Sequence, residues 1–267
     1  MKMKSVGLRK ILLIAVFGIF PLFSFAQHAR GGEILYRCVG GLTYEYSVTI
    51  WLDSITNSPL SNDLLFMDFG DGNQAAYSTI DAVSCVNLAG NLPANYNATN
   101  QLKWVFQHTY FGASGPAGYP QIGKFSYRTN GISNIPGSDT SYIFLIGAIF
   151  VDPNIGCNSA PNSPTSNYMF FPMMSQSNSY PLNYSDPDGD SLVYSLIPCN
   201  GFGYSFPDVL GGGTLSIDSH TGIISWNNPT QQGTYNVGVK IEQWKYLNSI
   251  PVLIGSHEQE IEFIVDP

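Results

Sequence analysis

Residues 42–50, LTYEYSVTI, place Leu42, Tyr44, Tyr46, Val48 and Ile50 on one face and Thr43, Glu45, Ser47 and Thr49 on the other. A period of two needs one buried and one wet face, which an antiparallel sandwich provides. The preceding GGEILYRC alternates too, and Gly40-Gly41 joins the two as a hairpin. In DLLFMDFGDGN a strand ends in a turn where Gly70 and Gly72 can take positive φ and Asp68 and Asp71 can bond their own backbone. LKWVFQHTYF, GKFSYRTNG and SYIFLIGAIF continue the series, the last as a strand buried on both sides or at a domain centre, too short to span a bilayer. No stretch sustains a helical period with caps, so the chain is expected to be essentially all-β.

Between Asp152 and Pro172 the character changes, with four prolines among small polar residues. Proline cannot donate to a central ladder, so the segment reads as a connection and sets a domain boundary near residue 152. Strands follow at YPLNYS, SLVYSL, TLSID, GIISW, GTYNVGVKIEQW and QEIEFIV, separated by turn signals about every ten residues. The expectation is two antiparallel β-sandwich domains in tandem, over residues 27–152 and 153–267.

The first 26 residues carry Lys2, Lys4, Arg9 and Lys10, an apolar run over 11–20 and Ser24-Phe25-Ala26, the pattern of a cleaved secretory leader. The mature chain then begins at Gln27, is exported, and has no membrane-inserted segment. Removing the leader leaves seven Lys and Arg against 19 Asp and Glu, a net charge of −12. Such a surface repels phosphate backbones and anionic lipid, which argues against nucleic-acid and membrane-surface partners, and it suits divalent cations. Cys38, Cys85, Cys157 and Cys199 are an even set in an exported chain, as disulfides require. Three connectivities are possible; two cysteines in each half favour Cys38–Cys85 and Cys157–Cys199. A zinc cluster is disfavoured because no C-x-x-C occurs and His28, His108, His220 and His257 are scattered singly.

One short stretch concentrates charge in a chain that is only 11% charged: YSDPDGDSL holds Asp186, Asp188 and Asp190 in five positions. Asp186-Pro187-Asp188-Gly189 fits a type I turn position by position. Three carboxylates on one turn repel one another unless neutralised, and calcium takes oxygens from such groups. An EF-hand is excluded, because Ser191 stands where its glycine and Ile197 where its bidentate glutamate would fall. His108 reads as a locally bonded sandwich-edge residue, and Glu258, Glu260 and Glu262 as the wet face of the last strand. Trp51, Trp104, Trp226 and Trp244 are candidate stacking platforms for sugar rings, Trp244 foremost, if they are exposed. No G-x-S-x-G elbow is present, and no carboxylate pair can be placed in a cleft from sequence, so catalysis is not expected.

Two resemblances then follow from the motifs. FMDFGDG at 66–72, with His108-Thr109-Tyr110 and the strand GKFSY, resembles the PKD family of immunoglobulin-like sandwiches, with an insertion over 75–101. DPDGDSLVYSL with LSIDSHTGIISW resembles the cadherin-like, dystroglycan-type and putative-immunoglobulin repeats. That likeness implies calcium at Asp186, Asp188 and Asp190, with Asp218 a weaker candidate, although the L-D-R-E and D-x-N-D-N motifs of cadherin repeats are missing. HARGGEI, FGDG, DPDGD and the closing VKIEQW…IGSHEQEIEFIV together resemble the N-terminal region of type IX-secreted surface proteins of gliding bacteria. The chain ends just after the last strand without a recognisable sorting domain, as a truncated or split relative would. The expected function is a non-enzymatic surface adhesion or matrix scaffold, calcium-stabilised, whose partner is a cell-surface protein or polysaccharide; the alternative is a carbohydrate-binding module.

Overall fold

A computed structural model describes residues 29–53, 65–77, 84–87, 99–110, 121–129, 144–151, 156–164, 168–199 and 204–267. The expected leader over 1–26 lies outside them. The chain is all-β, a sandwich fold whose long strands pair antiparallel, in agreement with the pattern of its sequence.

The first hairpin is β1 (Ala29–Gly40) and β2 (Thr43–Asp53). Gly41 turns it with φ +56°, a conformation that disfavours any other residue. β2 pairs next with β6 (Thr99–Thr109), whose other edge carries β5 (Ser84–Asn87). β3 (Leu65–Asp68), β4 (Gln74–Tyr77), β7 (Gln121–Thr129) and β8 (Phe144–Val151) form the run β4-β3-β7-β8. The alternation of LTYEYSVTI is realised: Tyr44, Tyr46, Val48 and Ile50 are buried. They make a first core with Ile34, Tyr36, Trp104, Phe106, Met67 and Leu145.

In the second half, β9 (Met169–Phe170), β10 (Ser177–Pro181), β11 (Ser191–Ile197), β12 (Thr214–Ile217) and β13 (Ile223–Asn227) precede a long hairpin of β14 (Gly233–Leu247) and β15 (Ile250–Val265). β10, β13 and β12 form a separate three-stranded sheet. It faces β14 and β15 across a second core of Trp226, Ile224, Val237, Val239, Ile241, Ile261 and Phe263. One short helix, α1 (Pro207–Gly211), was not anticipated; with five residues it shows no period to detect.

The two halves share one sheet. The expected boundary near residue 152 falls between β8 and β9, yet β15 pairs with β14 along its whole length and also meets β8 at Gly255 and Ser256 and β1 at Gln259 and Glu260. Gly31 permits this approach, since a Cβ there would lie 2.3 Å from the Glu260 carbonyl oxygen.

This sharing overturns the reading of the last strand's glutamates as a wet face. Glu260 and Glu262 are only 2% and 7% exposed. Glu262 pairs at 2.7 Å with Arg30 of β1, both side chains buried. Glu258 accepts the Ile146 N–H of β8 at 2.9 Å. Glu260 lies between Gly238 and Gly32 on its neighbouring strands. An outer face became an inner one because the strand runs on from the second core beside the first.

The cysteine pairing is also corrected. The bond joins Cys38 to Cys157, 119 residues apart, instead of Cys38–Cys85 and Cys157–Cys199. The reason is a chain reversal: residues 157–160 fold back over β1, and the Ala160 N–H donates to the Tyr36 carbonyl at 2.7 Å. Cys199 is a free, buried thiol whose pKa burial pushes well up. Cys85 is on β5, and its side chain lies outside the described residues.

Candidate functional site

The outer face of β1, β2 and β6 can be read in cross-strand rows from the strand register: Gly31–Trp51–Gln101, Glu33–Thr49–Lys103, Leu35–Ser47–Val105 and Arg37–Glu45–Gln107. The second half covers one end of this face. Tyr168 stacks on Trp51 with ring centroids 5.0 Å apart and planes 11° apart. The Tyr184 hydroxyl donates to Glu33 at 2.5 Å and lies 2.8 Å from Gln259 Oε1. Burial raises the Glu33 carboxyl, with Tyr184 and Lys103 working against the rise.

Beyond Tyr184 the face is open. Leu35, Ser47 and Val105 floor a groove of about 330 Å³, with Arg37 and Glu45 at one end, Lys103 at the other, and a wall of Ser159, Ala160, Asn162 and Pro187. Ser47, small between two larger neighbours, makes the depression.

The aspartate turn holds this wall. It is the turn the sequence indicated, closed by Gly189 N–H to the Asp186 carbonyl, with Gly189 at φ +81°. Asp186 Oδ1 accepts the N–H groups of Asp188 and Asp190 at 2.8 and 3.0 Å. Its Oδ2 accepts Gln243 Nε2 at 2.7 Å, and the same amide donates to the Ser159 carbonyl at 2.6 Å. The Tyr36 hydroxyl donates to Gln243 Oε1. Asp188 Oδ2 accepts the Ser159 N–H at 2.7 Å. Asn162 and Ser185 form a two-way backbone bridge, and the Cys38–Cys157 disulfide anchors the wall's start. The carboxylates therefore clasp residues 157–162 against the sheet.

Asp190 is the member most removed from water, its side chain 3% exposed. Burial pushes its carboxyl up, Lys245 opposes this, and Asp186 and Asp188 add to it. Lys245 Nζ stands 3.8 Å from Oδ1, while Oδ2 has no hydrogen-bond partner among the described residues. Asp218 lies on a different turn, where its Oδ1 accepts the N–H groups of His220 and Thr221 and its pKa is lowered by those bonds. Among the described residues, no three Asp, Glu, His or Cys side chains are placed to share a metal ion.

The FGDG and HTY motifs meet in space. Asp68 accepts the Gly70 N–H at 2.8 Å and Asp71 that of Asn73 at 3.1 Å, as expected of turn aspartates. His108 Nε2 lies 2.7 Å from Asp71 Oδ2, a partner 37 residues away where a local one was expected. Its ring stacks on Phe69 and meets Tyr110 edge-on, and the Tyr110 hydroxyl donates to the Phe69 carbonyl at 2.9 Å. Burial works against the charge on Asp71, but the Asn73 and His108 bonds outweigh it and hold the carboxyl low.

Of the four tryptophans, Trp51, Trp104 and Trp226 are at most 1% exposed and cannot stack on a ligand. Trp244 is half-buried, its Nε1 3.4 Å from Glu242. Sequence reasoning missed the groove because its parts come from β1, β2, β6 and two later loops. A cue was available only in Ser47, the smallest side chain on the outer face of LTYEYSVTI.

No family model matches the chain, and no curated protein matches it. Three solved structures show weak likeness. A tandem of titin immunoglobulin domains is 9% identical, over 88% of this chain and 98% of that one, with a TM-score of 0.25. The human desmocollin-1 ectodomain is 8% identical, over 83% and 47%, with a TM-score of 0.26. The three N-terminal domains of the bacteriophage RB49 highly immunogenic outer capsid protein are 10% identical, over 91% and 99%, with a TM-score of 0.27. At these scores the likeness carries no argument, and the architecture rests on the strand pairing itself.

Proposed function

We propose that this chain is a non-enzymatic, exported surface module that binds a partner through the groove on β1, β2 and β6. One observation carries the reading: a disulfide and a turn of three aspartates are both spent on fixing a loop wall over an otherwise open sheet face. Rigid walls raise affinity because less conformational entropy is lost on binding. Export is supported by the leader-like residues 1–26 and by the disulfide, which persists in oxidising compartments. No helix among the described residues is long and apolar enough to cross a membrane. The PKD-like, cadherin-like and type IX assignments belong to this proposal; the pairing of Asp71 with His108 favours the first of them. The test is retention of cells or extracellular polysaccharide on beads carrying residues 27–267. Retention above an inert acidic protein supports the proposal; none overturns it.

Calcium is proposed as a stabiliser of the aspartate turn on the strength of the unpartnered Asp190 Oδ2. A melting temperature that rises in calcium relative to chelator, and no longer does so in Asp190→Asn, supports this. Equal melting in both overturns it and leaves the turn as a clasp alone.

A further inference from the structure

We infer that the groove receives an acidic saccharide, a short chain of uronate-bearing sugars. The inference rests on the surface-binding reading and names its partner class. Leu35 and Val105 on the floor and Pro187 on the wall offer apolar surface of the kind that the C–H face of a pyranose covers. Arg37 and Glu45, 2.9 Å apart, present a donor and an acceptor side by side, which is what two adjacent hydroxyl groups require. The Arg37 side chain keeps 63% of its surface exposed, so its remaining N–H groups face outward. Ser47, Ser159 and Asn162 add short polar groups between these ends.

The charge follows from where the cations are. Arg30 is locked to Glu262, Lys240 to Glu242 and Lys245 faces Asp190. Lys103 stands at the groove's far end, in no contact ion pair with a described residue, although its charge also acts on Glu33 in the same row. In a chain whose net charge repels anions at long range, a lysine with no contact ion pair among the described residues, at the end of a polar groove, selects a ligand with a carboxylate at that point. Rows 103 and 107 of β6 are about 13 Å apart along the strand, more than one sugar ring occupies.

The experiment is calorimetric titration of residues 27–267 with trimeric oligosaccharides of galacturonate, glucuronate and mannuronate, beside their neutral hexose counterparts. At least one uronate trimer is expected to bind at one site per chain, with affinity falling as salt rises. Lys103→Ala should weaken that binding at least tenfold and weaken any neutral-sugar binding by clearly less. Ser47→Trp should abolish both with an unchanged far-ultraviolet spectrum; if that variant fails to fold, Arg37→Ala replaces it, expected to weaken both classes. No uronate binding, equal loss of neutral and acidic sugars in Lys103→Ala, or full binding in the groove variant overturns the inference. Beads carrying Ser47→Trp separate the two proposals. If they still retain cells, the groove assignment fails and the surface module stands; if wild-type beads retain nothing, the surface reading itself fails.

Discussion

The two cores of this molecule are specified by different means. In the first, buried tyrosines carry hydroxyl groups that must be answered: Tyr46 and Tyr110 lie 2.6 Å apart, Tyr110 donates to the Phe69 carbonyl, and Tyr36 reaches Gln243 across the shared sheet. The second is mostly aliphatic, with Val237, Val239, Ile241 and Ile261 around Trp226 and Phe263. Hydrogen bonds depend on direction and dispersion on volume, so the first core fixes orientation and the second fills space. The groove and its clasp are attached to the directional core.

The largest effect should come from the covalent link between that core and the loop wall. A disulfide closing a loop of this length contributes about 4–5 kcal/mol on the chain-entropy account, and Cys38→Ser should lower the melting temperature accordingly. Digestion with a broad-specificity protease such as proteinase K should then cut first near residues 157–162, a segment with no trypsin or chymotrypsin site of its own. A melting temperature that survives the substitution would mean the aspartate clasp alone holds the wall.

Next in size is Trp226→Ala, which removes a fully buried side chain from the volume-filled core. Its expected cost is about 3–5 kcal/mol. Denaturant unfolding of this variant followed through tryptophan fluorescence, to which the buried Trp51 and Trp104 of the first half contribute, and through far-ultraviolet dichroism tests whether the halves unfold together. With β15 hydrogen-bonded to β14, β8 and β1, one transition is expected by both probes; two would show that the shared strand couples the cores weakly.

The seam between the cores supplies a pH dependence. Burial raises Glu258 to about 7 and Glu260 to about 8, each from 4.5, the charge of Glu258 adding to the latter. An acid whose folded pKa is raised keeps its contribution below the unfolded value and loses it as pH climbs through the folded one. Stability should therefore fall as pH rises between about 4.5 and 8. His257 acts oppositely, since burial lowers it from 6.5 to about 3 and its contribution is lost as pH falls through that window. Melting temperatures should peak near about pH 5, and Glu260→Gln should flatten the alkaline side; an unchanged alkaline limb would remove Glu260 as its cause.

What was legible in the sequence were features closed within one hairpin or turn. LTYEYSVTI announces its buried face, Asp68 and Asp71 bond N–H groups two residues on, and Asp186 initiates its own turn. What was not legible depends on segments brought together from afar. Glu260 and Glu262 alternate like a wet face and are buried because Arg30 and the Gly31-Gly32 pair come alongside from the other end of the chain. Cysteine counting could not find Cys157 opposite Cys38, because the reversal at residues 157–160 has no local signal. The aspartate turn was read correctly as a turn, but its partners Ser159 and Gln243 lie 29 and 57 residues from it.

The smallest effect is also the sharpest test of the contrast between cores. Tyr110→Phe deletes one oxygen from the first core, taking the donor from the Phe69 carbonyl and the hydroxyl partner from Tyr46. A buried polar group left unsatisfied costs about 1–3 kcal/mol, and Phe69 also supports His108, so the Asp71–His108 contact should loosen with it. In the second core, Tyr235→Phe also deletes one oxygen, but that hydroxyl donates only to the Gln231 carbonyl at 3.1 Å on an exposed turn, where water replaces it at a cost below about 1 kcal/mol. Matched denaturation curves decide the point: a clearly larger loss for Tyr110→Phe is what a directional core requires. Equal losses would mean that both cores are held by volume alone and that the tyrosine hydroxyls merely tolerate burial.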